Sequence, residues 1–291
     1  MTLPISDTAV SYPSGATSEE ATVIHVEAIA GDRFAVLLDR TCAHPIDVGW
    51  PDQGPDRGTI EWADGSTPIS DCVVGATDGT ELFLGSDIPV RKGSEGWAFV
   101  VAHLVGFAPE EGTAVTVTVD ESHRAALSVG HTGCHLAALA LNGALADRWS
   151  KEVALDDLGS PDFDAAANDS SRILPNGSLD TYRLGKSLRK KGFSAEGLAD
   201  ALPAITASLN TQLASWVDAD ARVDISRTGD LLTDRRLWVC ALPEGTAALA
   251  CGGTHVSSLG ELGALGGITA SLELSEAGDA LTLRTAVGSA A

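Results

Sequence analysis

Two pairs of side chains in this sequence have the chemistry and spacing of metal ligands. His131 and His135 are four residues apart, which on a helix places both imidazoles on one face, one turn apart. Cys251 and His255 repeat that spacing inside the letters CGGTH, where the glycines favour a tight loop over a helix. Either pair alone is as consistent with chance as with metal binding. Together they supply three imidazoles and one thiolate, a set that suits zinc, so we predict one Zn²⁺ per chain.

A zinc ion held by these residues would favour ester hydrolysis. Zinc lowers the pKa of its bound water to about 7 and polarises a carbonyl group. Four tight protein ligands would close the site, so catalysis requires that one ligand yields to water or substrate. We predict that the hydroxyls of Thr132 and Thr254 position water or substrate, with local capping of the backbone as the alternative. Cys134 is predicted to pack away from the ligands.

The two motifs and the residues around them resemble a known protein family. The letters HTGCH, followed far downstream by CGGTHV, are similar to the paired HxxxH and CxxxH motifs of the alanyl-tRNA synthetase editing domain. That domain also occurs as free-standing AlaX-type proteins. Residues 119–135, with Asp120 and Arg124 at matching places, resemble the approach to the first motif. Residues 251–263 resemble the second motif and the strand that follows it in the family.

A weaker similarity extends towards the N-terminus. Residues 42–60 resemble the family's Pro- and Gly-rich segment, but Val48, Gly49 and Trp50 stand in place of its three glycines. The resemblance covers most of the chain except roughly 150–235. Both motifs and the N-terminal region already fill the length, so we expect no synthetase catalytic domain.

The resemblance implies a function and a set of site residues. It implies that His131, His135, Cys251 and His255 are the zinc ligands. It also implies hydrolysis, in trans, of the ester of a misacylated tRNA, which is an editing step in translation. The implied substrates are seryl- or glycyl-tRNA(Ala), or a threonyl-type tRNA including a fluorothreonyl analogue. Two alternatives stay open: a zinc hydrolase acting on a small-molecule ester or amide, and a non-catalytic binding module with a structural zinc.

One basic segment stands out in an acidic chain. The sequence has 40 acidic and 19 basic residues and a net charge of −21, which argues against broad binding to nucleic acid, including DNA. Residues 182–193 nevertheless concentrate five cations. They are Arg183, Lys186, Arg189, Lys190 and Lys191. We predict that they contact phosphates of the tRNA acceptor end, with Tyr182 or Phe193 available for stacking; a solvated charged turn is the alternative.

The surrounding pattern predicts an α+β protein of two domains. Alternating strands and Gly-Asp or Asp-Gly turns predict an N-terminal β-barrel over residues 1–119. Residues 120–291 are expected to form an editing-type domain in which helices pack on an antiparallel sheet. Its expected elements are helical structure at 121–149, loops at 156–181, a helix at 195–218, and strands at 236–242, 268–274 and 281–287.

Other sequence features restrict the cellular setting. No apolar run reaches the about 18 residues that a membrane span needs, and no signal peptide is evident at the N-terminus. The five cysteines are odd in number and widely spaced, unlike a disulfide framework. We therefore expect a cytoplasmic protein without a membrane partner; the oligomeric state is left open.

Overall fold

The structure is a computed structural model that describes residues 3–288. Strands outnumber helices within those residues, and most lie in antiparallel sheets, which confirms the predicted α+β class. The chain divides into two compact units. Unit 1 contains the residues up to Arg124 together with 227–236 and 252–254, and unit 2 contains the remainder. No helix in the described part of the chain is both long and apolar enough to cross a bilayer.

Unit 1 is a β structure. Its strands within the described residues are β1 (Ala9–Val10), β2 (Ser18–Ile29), β3 (Arg33–Leu38), β4 (Arg40–Thr41), β5 (Gly58–Trp62), β6 (Gly65–Thr77), β7 (Leu82–Leu84), β8 (Ala98–Val105) and β9 (Ala114–Val119). Seven of them form one antiparallel sheet in the order β5-β9-β2-β3-β8-β6-β7. Strand β5 also pairs with β6. The pairings in the order β5-β9-β2-β3-β8-β6-β5 therefore join six strands in a closed series. The barrel itself stays a prediction.

Unit 2 combines helices with two further sheets. Its elements are α1 (Glu121–Ala144, whose first turn belongs to unit 1), α2 (Phe163–Ala167), β10 (Asn168–Leu174), β11 (Gly177–Arg183), α3 (Lys186–Lys191), α4 (Leu198–Asp218), β12 (Val223–Arg227), β13 (Arg236–Leu242), β14 (Gly245–Ala250), α5 (Gly260–Ala264), β15 (Ile268–Leu274) and β16 (Ala280–Val287). The larger sheet has the order β10-β11-β16-β15 and is antiparallel. Helix α4 packs on β15. The smaller sheet has the order β12-β13-β14.

The expectation of loops at 156–181 is wrong for its second half. Strands β10 and β11 form a hairpin whose turn contains Asn176, which has a positive φ of 57°. The polar composition of this segment predicted loops because even the buried face of β11 carries the polar residues Ser178 and Asp180. These side chains hydrogen-bond to each other, and Ser178 also bonds to Thr285 of β16. A polar residue can occupy a core-facing strand position when its hydrogen bonds are satisfied there.

Helix α1 begins and packs for identifiable reasons. Asp120 precedes it and accepts a hydrogen bond from the His123 backbone N–H at 3.0 Å, as an N-cap residue does. Gly130 lies where α1 approaches the β10–β11 turn most closely. A Cβ there would lie 2.3 Å from the Leu174 carbonyl oxygen, so only glycine permits this contact. The helix is therefore fixed against the larger sheet of its own unit.

Candidate metal centre

The structure brings the four predicted metal ligands together within unit 2. One ligand atom from each of His131, His135, Cys251 and His255 lies within 4.8 Å of all the others. The Cys251 Sγ is 3.4 Å from His131 Nε2 and 3.2 Å from His255 Nε2. Ligands on one tetrahedral zinc are about 3.3–3.8 Å apart, as bonds of about 2.0–2.3 Å require. In residues 3–288 no other group of this kind occurs.

Three elements position these side chains. Helix α1 carries His131 and His135, whose rings are 4.8 Å apart, as the spacing of one helical turn predicts. Strand β14 ends immediately before Cys251, and the subsequent loop returns His255 towards α1. Strand β13 contributes Trp238, a fully buried indole 5.1 Å from the His135 ring and 6.2 Å from the His255 ring. This apolar wall was not predicted from the sequence.

Thr132 links the helix to the loop through one buried hydroxyl. Its Oγ1 donates to the Ser128 carbonyl at 2.9 Å, accepts from the Val256 N–H at 3.2 Å and lies 3.2 Å from His255 Nδ1. A hydroxyl has one hydrogen to donate and accepts two. With its hydrogen on Ser128, Thr132 accepts from a protonated Nδ1 of His255. That tautomer leaves the lone pair of His255 Nε2 on the side of Cys251.

The electrostatics of the cluster favour metal-binding forms of its side chains. Burial alone would raise the pKa of Cys251, but the imidazoles of His131, His255 and His135 outweigh it and hold that pKa well below its usual range. Burial lowers the pKa of His255 to about 3, so its ring is neutral. His135 Nε2 is buried without a hydrogen-bond partner among residues 3–288. A thiolate, a neutral imidazole and an unpartnered ring nitrogen all fit a bound metal cation.

Thr254 lies in the second motif but belongs to unit 1. Its backbone N–H donates to Gln53 Oε1 at 3.0 Å, and its hydroxyl accepts from Gln53 Nε2 at 2.9 Å. The roles of Thr132 and Thr254 in positioning water or substrate stay predictions. Sequence reasoning did not identify Gln53. The only signal was its place in the segment 42–60, which resembles the Pro- and Gly-rich segment of the family.

That same segment is fixed by a buried ion pair in unit 1. The Arg124 Nε lies 2.9 and 3.0 Å from the two carboxylate oxygens of Asp56. Arg124 also donates to the Cys42 carbonyl at 2.7 Å, and Asp56 accepts from the His44 N–H at 2.6 Å. Both charged side chains are almost completely buried. Bidentate pairing of this kind supplies geometric order as well as energy.

The basic segment lies apart from the ligand cluster in sequence and forms the end of β11 and helix α3. All five of its cations are exposed, and Arg183 forms an ion pair with Asp169 at 2.8 Å. Lys151 adds a further cation, because its Nζ donates to the Lys190 carbonyl at 3.0 Å. Three of the cations lie in the last turn of α3, where they also complement the helix dipole.

Two side chains of this segment do not serve as expected. Tyr182 and Phe193 were predicted to be available for stacking on bases, but both are buried in the core of unit 2. Each packs on Phe163, with ring centroids 5.1 and 5.0 Å apart respectively. The alternation along β11 turns Tyr182 inwards. Cys134 packs against Asp180 at 3.3 Å and is not part of the ligand cluster, as predicted.

This chain is similar over most of its length to part of a known enzyme. A stretch of 246 residues, 84% of this chain, is 27% identical to alanine–tRNA ligase of Methanopyrus kandleri. This similarity is distant, and it confirms the resemblance to alanyl-tRNA synthetase that was inferred from the motifs. The chain spans only 22% of the ligase's length. No protein-family model matches it.

Proposed function

We propose that this chain is a zinc-dependent hydrolase that removes a wrongly attached amino acid from tRNA in trans. The observation that carries the proposal is the convergence of three imidazoles and one thiolate within 4.8 Å, in a homologue of an alanine–tRNA ligase. The name of that relative supports tRNA as the partner. We further propose that residues 120–291 form the editing domain and that residues 1–119 precede it as a separate domain.

Zinc is the metal that the donor set supports best. Three nitrogen donors and a thiolate suit zinc, whereas calcium and magnesium require oxygen ligands. When bound, zinc would supply a Lewis acid for the ester carbonyl and a water whose pKa is near 7. His131, His135, Cys251 and His255 would hold it. Thr132 would orient the His255 ring, and Trp238 would exclude bulk water from one side of the cluster.

The main alternative is a closed, structural zinc. It is favoured by the donor set, because four protein ligands with sulfur and nitrogen donors are typical of structural zinc sites. Catalysis instead requires one ligand to give way. His135 and His255 are partly exposed, whereas His131 and Cys251 are buried, so one of the first two is the ligand best placed to yield. A small-molecule ester is the remaining alternative, since it would avoid the charge repulsion between RNA and an acidic chain.

The proposed acyl group is small and polar. Gly252 and Gly253 lie between two ligands in sequence, and no aromatic residue lies within either motif. A site that bonds a substrate hydroxyl rejects the analogue lacking it by about 10⁴-fold. We therefore expect serine or a threonine-type group to be removed and alanine to be spared. Removal of glycine, which also lacks the hydroxyl, is proposed from the family resemblance alone.

The direct test is a set of deacylation time courses with and without a zinc chelator. The tRNAs carry serine, glycine, threonine, 4-fluorothreonine, alanine or, as a bulky control, phenylalanine. Chelation should abolish hydrolysis and added zinc should restore it. The variants Cys251→Ala and His135→Ala should lose metal and activity together. Equal rates for serine and alanine would defeat the hydroxyl argument, and full zinc occupancy in a His131→Ala/Cys251→Ala double variant would defeat the ligand assignment.

The basic segment is tested by charge reversal. The triple variant changes Lys186, Arg189 and Lys190 to Glu. We expect weaker tRNA binding and a flatter dependence of log affinity on log salt, because removing one phosphate interaction lowers the slope by about 0.7–0.9. Zinc content should not change. The control for net charge makes the same change to Glu at three exposed cations outside the segment, Arg33, Arg172 and Arg284. If both triple variants bind tRNA alike, the segment is only a solvated turn.

A further inference from the structure

A small cleft in unit 1 brings together charged side chains of both signs. Its volume is about 220 Å³, below the about 300–1,000 Å³ of a site for a drug-sized molecule, so it suits a smaller ligand. Two arginines, two carboxylates and two hydroxyls are among the residues that line it, and all six residues belong to unit 1. They are Arg40, Arg227, Glu19, Asp230, Ser11 and Ser14.

Backbone pairing holds the segments that form this cleft in place. Strand β1 pairs with β4 so that Ala9 lies opposite Arg40. On the other edge of β1, the Val10 N–H donates to the Asp230 carbonyl at 2.7 Å. Neighbouring strands lie about 4.8 Å apart. Long side chains from both edges can therefore reach the same cleft beside β1.

Both arginines keep the ends of their guanidinium groups for a ligand. The Arg40 Nε lies 3.6 Å from an oxygen of Asp39, and the Arg227 Nε lies 3.3 Å from an oxygen of Asp230. These carboxylates orient the two guanidinium groups through Nε. The Nη atoms have no hydrogen-bond or ion-pair partner among residues 3–288. Such a fork of N–H donors binds a carboxylate in a bidentate manner.

Glu19 and Ser14 supply acceptor oxygens to the same cleft. The Ser11 hydroxyl donates to Glu19 Oε2, which orients this carboxylate, and Oε1 has no partner in the described part of the chain. The Ser14 hydroxyl donates its hydrogen to the Ser11 carbonyl at 2.7 Å, so its lone pairs remain acceptors. An ammonium group, which has three donors and no acceptor, matches these oxygens.

We propose that this cleft binds a small free α-amino acid, with its carboxylate at Arg40 and Arg227 and its ammonium group at Glu19 and Ser14. The two cations and two carboxylates that line the cleft cancel in charge, so a zwitterion complements it better than a simple anion or cation does. The cleft shares no residue with the metal-ligand cluster. Its occupancy does not depend on the proposed hydrolysis, whose released amino acid belongs to the same chemical class.

The test measures binding of L-serine to the full chain by saturation-transfer NMR. Two analogues each lack one charge: ethanolamine has no carboxylate, and glycerate has a hydroxyl in place of the ammonium group. Both should bind about 10-fold more weakly or worse, because a hydrogen bond to a charged group contributes at least about that factor. Arg40→Gln/Arg227→Gln and Glu19→Gln should weaken serine binding to a similar extent. Arg33→Gln and Glu20→Gln, which remove one charge of each sign outside the cleft, are the matched controls.

The outcomes separate this proposal from the proposed function. Weaker binding in the cleft variants, with normal binding in both controls, supports the cleft even if no tRNA is deacylated. No transfer to L-serine, equal binding of either analogue, or unchanged affinity in the cleft variants would overturn it. Serine binding that is lost in Cys251→Ala but kept in the cleft variants would place the amino acid at the metal cluster instead. Should the urea midpoint of the double Gln variant fall, Arg40→Lys/Arg227→Lys replaces it, since lysine keeps the charge but not the fork.

Discussion

Replacing Thr132 with Val should separate the hydroxyl of this residue from its volume. Valine has nearly the same shape, so the buried position keeps its packing. The substitution leaves two donors without their acceptor, the Val256 N–H and the His255 Nδ1–H, each 3.2 Å from Oγ1. An unsatisfied buried donor costs about 1–3 kcal/mol. We expect the free energy of unfolding to fall by about 2–6 kcal/mol, the sum for the two donors.

The same substitution should weaken metal binding. Without the hydroxyl, His255 Nδ1 loses its hydrogen bond to Thr132, and loss of such an outer hydrogen bond typically costs about 10–100-fold in metal affinity. Thr132→Ser keeps the hydroxyl and should lose only about 1 kcal/mol with the methyl group, with metal affinity near that of the wild type. Thr285→Val removes another buried hydroxyl of unit 2, one that bonds Ser178, and should lower stability without affecting metal affinity.

The assay is competition for zinc against a fluorescent chelator at constant pH, with urea unfolding of each metal-free variant. The informative quantity is the ratio of zinc dissociation constants between Thr132→Val and Thr132→Ser. A ratio near one would refute the assignment of Thr132 as the residue that orients His255. A loss of affinity in Thr285→Val as large as in Thr132→Val would show that general destabilisation explains the effect.

Three further predictions test the scaffold. Arg124→Met should cost about 3–5 kcal/mol in urea unfolding because it leaves the Asp56 carboxylate buried without its partner, and Asp56→Leu in the same chain should recover part of that loss; additive losses would contradict the pairing. His103 has a pKa of about 4 because burial disfavours its cation. The folded state therefore binds fewer protons than the unfolded state, and stability should fall as pH drops from about 6.5 towards 4, by about 3 kcal/mol in total. His103→Gln should remove that part of the pH dependence, and identical pH profiles of the urea midpoint would exclude the assignment. Gly130→Ala should destabilise unit 2 by more than about 3 kcal/mol, since its Cβ would collide with backbone rather than with a movable side chain; a wild-type thermal midpoint would show that α1 can shift freely.

Much of the local structure follows from the sequence because it depends on short-range patterns. Alternation around Gly31 and Asp32 predicted the β2–β3 hairpin, and both residues have positive φ in its turn. The spacing of His131 and His135 predicted two imidazoles on one helical face. These features depend on backbone geometry and side-chain period, which neighbouring residues determine without help from the rest of the chain.

Other features depend on contacts that are distant in sequence. Composition alone predicted loops where β10 and β11 lie, because Ser178 and Asp180 are stable in a core only when partners such as Thr285 satisfy them. The sequence predicted that Tyr182 is available for stacking on a base, but the register of β11 in the sheet places its side chain in the core. The pairing of Gln53 with Thr254 spans 201 residues, and no local pattern encodes it. The residue types and spacing of this protein determined which chemistry is available, whereas only the tertiary structure decided which of those side chains meet, since burial and hydrogen-bond satisfaction are properties of the packed chain.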